Sequence, residues 1–228
     1  NSLETAEANG LTSFNTTGYT VGTDVSYNTL GDDIYSFVLK KTAGVCDIVN
    51  YSGNAANRTV AHSLGADVGM MICRQQSGTN PSTTPWTVSW INPMGNTLYN
   101  SIGQNTSTTA AATMWNSTVP TSSVFSLGVD DRVNGAAAGS REYTMYLFAN
   151  NEAAGIKCGT YEGTGASLKI TTNFPVGTFI TCNADTNLNW LIHDKKIGLL
   201  SHIQLDANAR ITAGGPLSFD SDGITLNT

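Results

Sequence analysis

The chain has 228 residues, of which 40% are hydrophobic and only 12% charged, with a formal net charge of −6. That length can hold one large or two ordinary β domains, each burying its own core. The eleven Lys and Arg residues are scattered and form no basic stripe, which argues against nucleic-acid binding, and no apolar run reaches the roughly 18 residues of a membrane-spanning helix.

From the N-terminus, a short helical stretch is conceivable over Glu4–Ala8, followed by a turn at Asn9-Gly10. Strands are predicted over Ile34–Lys40, Val45–Tyr51 and Val68–Arg74, then, after a turn at Ser77-Gly78, over Trp86–Ile91. The Ala-rich Thr108–Met114 is the second helical stretch, and Asn134-Gly135 a further turn. Strands follow over Arg141–Asn150, Ile156–Tyr161, Leu168–Thr172, Phe179–Asn183 and Asn189–His193, with turns at Gly214-Gly215 and Asp222-Gly223. Both helical stretches are too short to be stable alone. Short runs rich in β-branched and aromatic residues, separated by Gly and Asn turns, predict an all-β protein of antiparallel sandwich or jelly-roll-like domains. No signal peptide is visible and the first residue is Asn1 rather than Met, so the chain reads as part of something longer.

The chain also resembles itself. Ser13–Val21 recurs as Ser218–Leu226, and Tyr19–Asp24 as Phe125–Asp130. Tyr35-Ser36-Phe37 matches Tyr146-Leu147-Phe148, Tyr51 matches Tyr161, Cys73 matches Cys182, and Trp86 matches Trp190. The spacing is domain-sized rather than that of a solenoid repeat. Residues 1–44 then form the back part of one unit, 45–154 a complete unit, and 155–228 the front part of a third. That third part lacks its copy of the Arg141–Asn150 strand, and Ile34–Lys40 is a spare copy able to fill the vacant edge, from the same chain or from a neighbouring subunit.

Several segments of the middle unit carry a wider resemblance: Tyr51-Ser52-Gly53-Asn54, His62-Ser63-Leu64-Gly65, Trp86–Ile91, Trp115–Gly128 and Tyr143–Ala149. They resemble tandem β repeats in tail-fibre and other appendage proteins of tailed, notably marine, bacteriophages. Ala66 stands where the pattern has proline. The resemblance implies a structural or receptor-binding module on the virion surface. The expected partners are other fibre subunits, further copies of the chain, and a host surface glycan or protein. It implies no catalytic residue and no cofactor.

The residues with chemical potential have plainer readings. His62, His193 and Asp194 have no nucleophile elbow to serve, and His193 aligns with Ser89, so they read as strand or surface residues. Asp220–Gly223 opens like a calcium loop but lacks the later acidic ligands, and reads as a β-turn. Asp32-Asp33 and Asp130-Asp131 read as solvated loop charges. Trp86 and Trp190, recurring at matched points, read as core; Trp90 and Trp115 are the first candidates for contact with a glycan. Cys46, Cys73, Cys158 and Cys182 show no zinc spacing. They read as buried free thiols, the alternative being bridges Cys46–Cys73 and Cys158–Cys182. Sequons at Asn15, Asn50, Asn57, Asn105 and Asn116 follow from composition. A secreted carbohydrate-binding or adhesive filament subunit is the second functional reading. A polysaccharide hydrolase ranks last, because the few glutamates do not cluster as paired carboxylates.

Overall fold

The structure, a computed structural model, describes residues 7–34, 36–78, 85–91, 95–104, 106–136, 141–197, 201–205, 212–213 and 217–227. The protein is all-β, built from antiparallel sheets. It divides into two compact units, Leu3–Lys40 and Lys41–Thr228, with Asn1–Ser2 grouped with the second.

In the small unit, β1 (Leu11–Asn15) and β2 (Gly18–Val21) form a hairpin, followed by a one-turn helix, Val25–Asn28. Asp24 caps that turn by accepting from Ser26 N at 2.8 Å, an ordinary Asp N-cap contact. Residues 34 and 36–40 belong to no strand, contrary to the reading of Ile34–Lys40, and Tyr35 lies outside the described residues. Most of the Glu4–Ala8 stretch also lies outside them, and Glu7 and Ala8 are not helical.

The large unit begins with β3 (Cys46–Ser52), β4 (Arg58–Ala61), β5 (Val68–Ser77), β6 (Trp86–Trp90), β7 (Leu98–Ile102), β8 (Thr109–Ala110) and β9 (Val124–Leu127). A helical turn at Asp131–Asn134 leads into β10 (Glu142–Ala149). After a 3-10 turn at Glu152–Ala154 come β11 (Leu168–Thr171), β12 (Thr178–Thr181), β13 (Leu191–Asp194), β14 (Ser201–Gln204), β15 (Thr212–Ala213), β16 (Leu217–Phe219) and β17 (Gly223–Leu226). Six strands form one sheet in the order β3-β10-β5-β6-β7-β8, while β4 pairs with β9. Downstream, β12-β13-β14-β15 form a four-stranded sheet and β11-β17-β16 a three-stranded one.

These sheets stack as layers around three cores. Side chains alternate along a strand, so odd-numbered residues of β10 (Tyr143, Met145, Leu147) join Tyr51, Met71 and Cys73 against Phe125 and Leu127 of β9. The opposite face of the six-stranded sheet, through Met70, Val88 and Phe148, packs on Cys158, Ile180 and Trp190. The far face of the four-stranded sheet meets β16 and β17 through Phe179, Leu217 and Ile224. Burial on both faces explains why Val68–Cys73 reads as a continuous apolar run rather than an alternating one.

Two further expected elements, both in the large unit, differ. Thr108–Met114 supplies the short strand β8 and a turn, not a helix. Of Ile156–Tyr161, only Ile156 pairs, in an isolated bridge with Asn151. All four cysteines are free; Cys46, Cys73 and Cys158 are buried, and burial pushes the Cys73 and Cys158 thiols up to about 12.

Candidate binding site

The face of the six-stranded sheet turned away from the first core carries the even-numbered residues of β10, two of its polar members, Thr144 and Arg74, being buried. The register sets their neighbours: Thr144 lies opposite Asn50 on one side and Arg74 on the other, and Tyr146 lies opposite Ile48 and Ile72. Trp86 lies opposite Ile102. These pairings set Asn50, Thr144, Arg74, Trp86 and Ile102 in a row across five strands.

Within that row the side chains hold one another. Thr144 Oγ1 donates to Asn50 Oδ1 at 2.7 Å and accepts from Gln76 Nε2 at 3.0 Å. The Trp86 and Tyr146 rings stack with centroids 5.8 Å apart and planes 23° apart. The Arg74 guanidinium lies 6.0 Å from the centre of the Trp86 ring, at the outer limit of a cation–π contact. Arg74 is buried, whereas Trp86, Tyr146 and Gln76 are half-buried and Asn50 is exposed. Beside them opens a cleft of about 310 Å³ lined by Ile72, Trp86, Ile102, Gly103 and Leu205. That volume is at the small end of ligand pockets, with apolar walls and a few polar groups nearby.

The aromatic expectations therefore change places. Trp115 is fully buried in the first core, its Nε1 donating to Leu98 O at 3.2 Å, and it offers no face to a glycan. Trp90 is half-buried, and its ring stacks on Trp190. Trp190 is core, but Trp86, also expected in the core, lines an open cleft. The missed signal is the register: Trp86 shares its face with Arg74 and Thr144, a mixed polar environment rather than an apolar one.

A second cleft, of about 240 Å³, lies between the four-stranded sheet and β16–β17, with Tyr161, His193, His202 and Asn227 on its walls. His193 and His202 face each other across β13 and β14 with ring centroids 5.4 Å apart. Burial, and then the neighbouring His202, hold His193 below the usual imidazole range. Asp194 points to the other face of its strand, accepting from Thr178 Oγ1 at 2.6 Å and Lys196 N at 2.7 Å. It does not orient His193. His62 is buried rather than on the surface, its Nδ1 accepting from Leu64 N at 3.2 Å, and burial lowers its pKa.

The acidic pairs also fall into place. Asp220–Gly223 forms the turn of the β16–β17 hairpin, with Asp222 paired to Lys169 at 2.8 Å. Asp130 caps the helical turn through Arg132 N at 2.9 Å, and Asp131 pairs with the buried Arg141 at 2.9 Å, so these two are structural rather than merely solvated. Two buried tyrosines hold the same turn: Tyr51 and Tyr143 donate to Val133 O and Asp131 O, each at 2.7 Å. Among the described residues, no group of three His, Cys, Asp or Glu is placed to hold a metal ion. No helix of the described residues is long and apolar enough to cross a membrane.

No curated protein and no solved structure matches the chain. One protein-family model does, over residues 1–228, so the chain belongs to the family described as "Domain of unknown function (DUF7483)".

Proposed function

We propose that the chain is a non-catalytic β module of a bacteriophage tail fibre or other virion appendage, and that it holds a neutral saccharide of the host surface against Trp86. The observation that carries the binding role is Trp86, which lines the cleft and is held by its stack on Tyr146. An indole presents a broad apolar surface at little conformational cost, suited to the apolar face of a pyranose ring. On the same face, Asn50 and Gln76 carry amide groups of the kind that bind ring hydroxyls, one atom of each being engaged by Thr144. Among the described residues the cleft walls carry no charged side chain, and the neighbouring Arg74 is buried, which favours a neutral sugar over a phosphorylated or acidic one. The virion setting draws its support from the resemblance of Trp115–Gly128 and Tyr143–Ala149 to tail-fibre repeats, and from a surface poor in charge.

An array of bacterial surface oligosaccharides, probed with the chain and with Trp86→Ala, tests the binding role. The expected result is binding of neutral oligosaccharides that weakens at least tenfold in the variant. Absence of binding by the unmodified chain, or equal binding by both, overturns the role. Antibody against the chain that labels cell filaments rather than phage particles would move the same site to a secreted adhesin.

A further inference from the structure

The small unit repeats, bond for bond, arrangements found in the large one. Gly22 N donates to Gly10 O at 2.7 Å, and Asn28 Nδ2 donates to Gly22 O at 2.9 Å. In the large unit, Gly128 N donates to Met114 O at 2.8 Å, and Asn134 Nδ2 donates to Gly128 O at 2.7 Å. Each glycine is followed by the aspartate that caps the helical turn. This makes β2 the counterpart of β9. It is also the counterpart of β17: β1–β2 pairs Phe14 with Tyr19 and Ser13 with Thr20, while β16–β17 pairs Phe219 with Ile224 and Ser218 with Thr225.

Both counterparts have a neighbour that β2 lacks among the described residues. β4 runs antiparallel to β9 with Val60 opposite Phe125, and β11 runs antiparallel to β17 with Ile170 opposite Ile224. The two registers coincide over four residue pairs. Phe125 and Ile224, each packed into a core, are 0% and 1% exposed, whereas Tyr19, at the matching place in β2, is 38% exposed with its hydroxyl donating to Ser36 Oγ at 2.6 Å, and Phe14 beside it is 80% exposed. Among the described residues, β2 pairs with β1 alone. A two-stranded hairpin with an open edge and bare aromatic side chains is marginal in water and ready to accept another strand.

We propose that the free edge of β2 is a docking site for an antiparallel strand of the β4 and β11 kind, apolar at its third position, donated by a β unit that stands ahead of this hairpin in a serial array. The order follows from the two precedents, in which the added strand comes before its partner along the chain. Pairing through main-chain hydrogen bonds supplies the affinity and the apolar third residue the register. The inference does not use the saccharide site, so it stands or falls separately.

The test appends to the N-terminus of the full chain, through a flexible linker, a second copy of residues 165–174. A matched control carries Asp in place of Ile170 in the appended copy only. The linker holds the strand at high effective concentration, and unchanged exchange in β10 reports that the fold is intact. Amide hydrogen exchange at Gly18–Val21 is expected to slow at least tenfold relative to the control. Equal exchange in the two fusions overturns the proposal. Protection of Gly18–Val21 that rises with protein concentration in the unfused chain also overturns it, assigning the edge to a second copy of the chain.

Discussion

The indole rings of Trp90 and Trp190 stack with centroids 5.7 Å apart and planes 17° apart, one contributed by the six-stranded sheet and the other by the segment leading into β13. Trp190 is 1% exposed and sits in the core between the two sheets. Trp190→Ala is expected to cost about 3–5 kcal/mol, the range for a fully buried large aromatic. Trp86→Ala removes a half-buried ring and is expected to cost less, about 1–2 kcal/mol, chiefly its packing against Tyr146. Urea unfolding of the two variants checks the order; a Trp86 variant as unstable as the Trp190 variant would place Trp86 in the core.

Close approach makes Gly128 irreplaceable. A Cβ there would lie 1.7 Å from the carbonyl oxygen of Thr113, which is backbone and cannot swing aside. Gly128→Ala is expected to destabilise the protein by about 3 kcal/mol or more. At Gly159 a Cβ would meet nothing within 4 Å, so Gly159→Ala serves as the control and should be nearly neutral. Thermal denaturation of the pair decides.

Asn134 is fully buried and donates to Ala56 O at 2.8 Å as well as to Gly128 O, while its Oδ1 accepts from Asn54 N at 3.2 Å. Asn134→Ala strands three backbone groups and should cost at least about 2 kcal/mol. Asn134→Asp keeps the acceptor but loses both donated bonds, and should be no milder. Melting temperatures of the two variants test this ranking.

Acid should act through His193. Its folded pKa lies below the ordinary value of 6.5 because burial and His202 disfavour its charged form. The unfolded chain therefore takes up the proton first, and stability is full above pH 6.5 and declines as pH falls from there toward the folded pKa. His193→Phe, beside Phe179, should reduce the loss of melting temperature between pH 7.5 and 5.5. An unchanged loss would assign it elsewhere, with the buried His62 the next position to vary.

Asp47 has the opposite sign. Burial alone would raise its pKa, but Lys41 at 2.6 Å and the backbone amides of Ser63 and Ile48 together hold it below 3.8. Its contribution is present above pH 3.8 and is lost as pH falls through the lower folded value. Since Lys41 is largely exposed, the amide bonds should contribute more than the ion pair. Lys41→Ala is expected to cost under about 1 kcal/mol and Asp47→Ala about 1–3 kcal/mol, measured by denaturant titration at pH 7.

Strand positions were legible where β-branched, aromatic and other large apolar residues cluster in a short run. Val68–Arg74, Trp86–Ile91 and Arg141–Asn150 match β5, β6 and β10 to within a few residues. Polar strands such as β4 and β14, whose members are half-buried or exposed, carry too little pattern to be read. The segment Ile34–Lys40 shows the reverse: it is apolar enough to read as a strand, yet its described residues have no ladder partner. Cys73 and Cys182, matched in the sequence, do not share surroundings. Cys73 faces the first core and Cys182 the second, and in a strand one residue of offset exchanges the faces. The same limit hid the surroundings of Trp86, since composition marks it as apolar but only pairing shows what stands beside it. The Asn28 and Asn134 contacts were missed because nothing in a lone Asn advertises a bond to a glycine carbonyl six residues earlier.

The position of β10 has a consequence for the order in which the protein is made. It lies between β3 and β5, hydrogen-bonded to both, yet it is synthesised after β9. A nascent chain that has left the ribosome as far as Asn134 holds β3 and β5 without the strand that joins them. Closing that gap requires contacts distant in sequence, which form slowly. Until then two apolar strand edges stand open to other nascent chains. A nascent chain stalled with Glu142 still inside the ribosome should therefore favour aggregation, whereas one stalled after Asn150 has emerged should not.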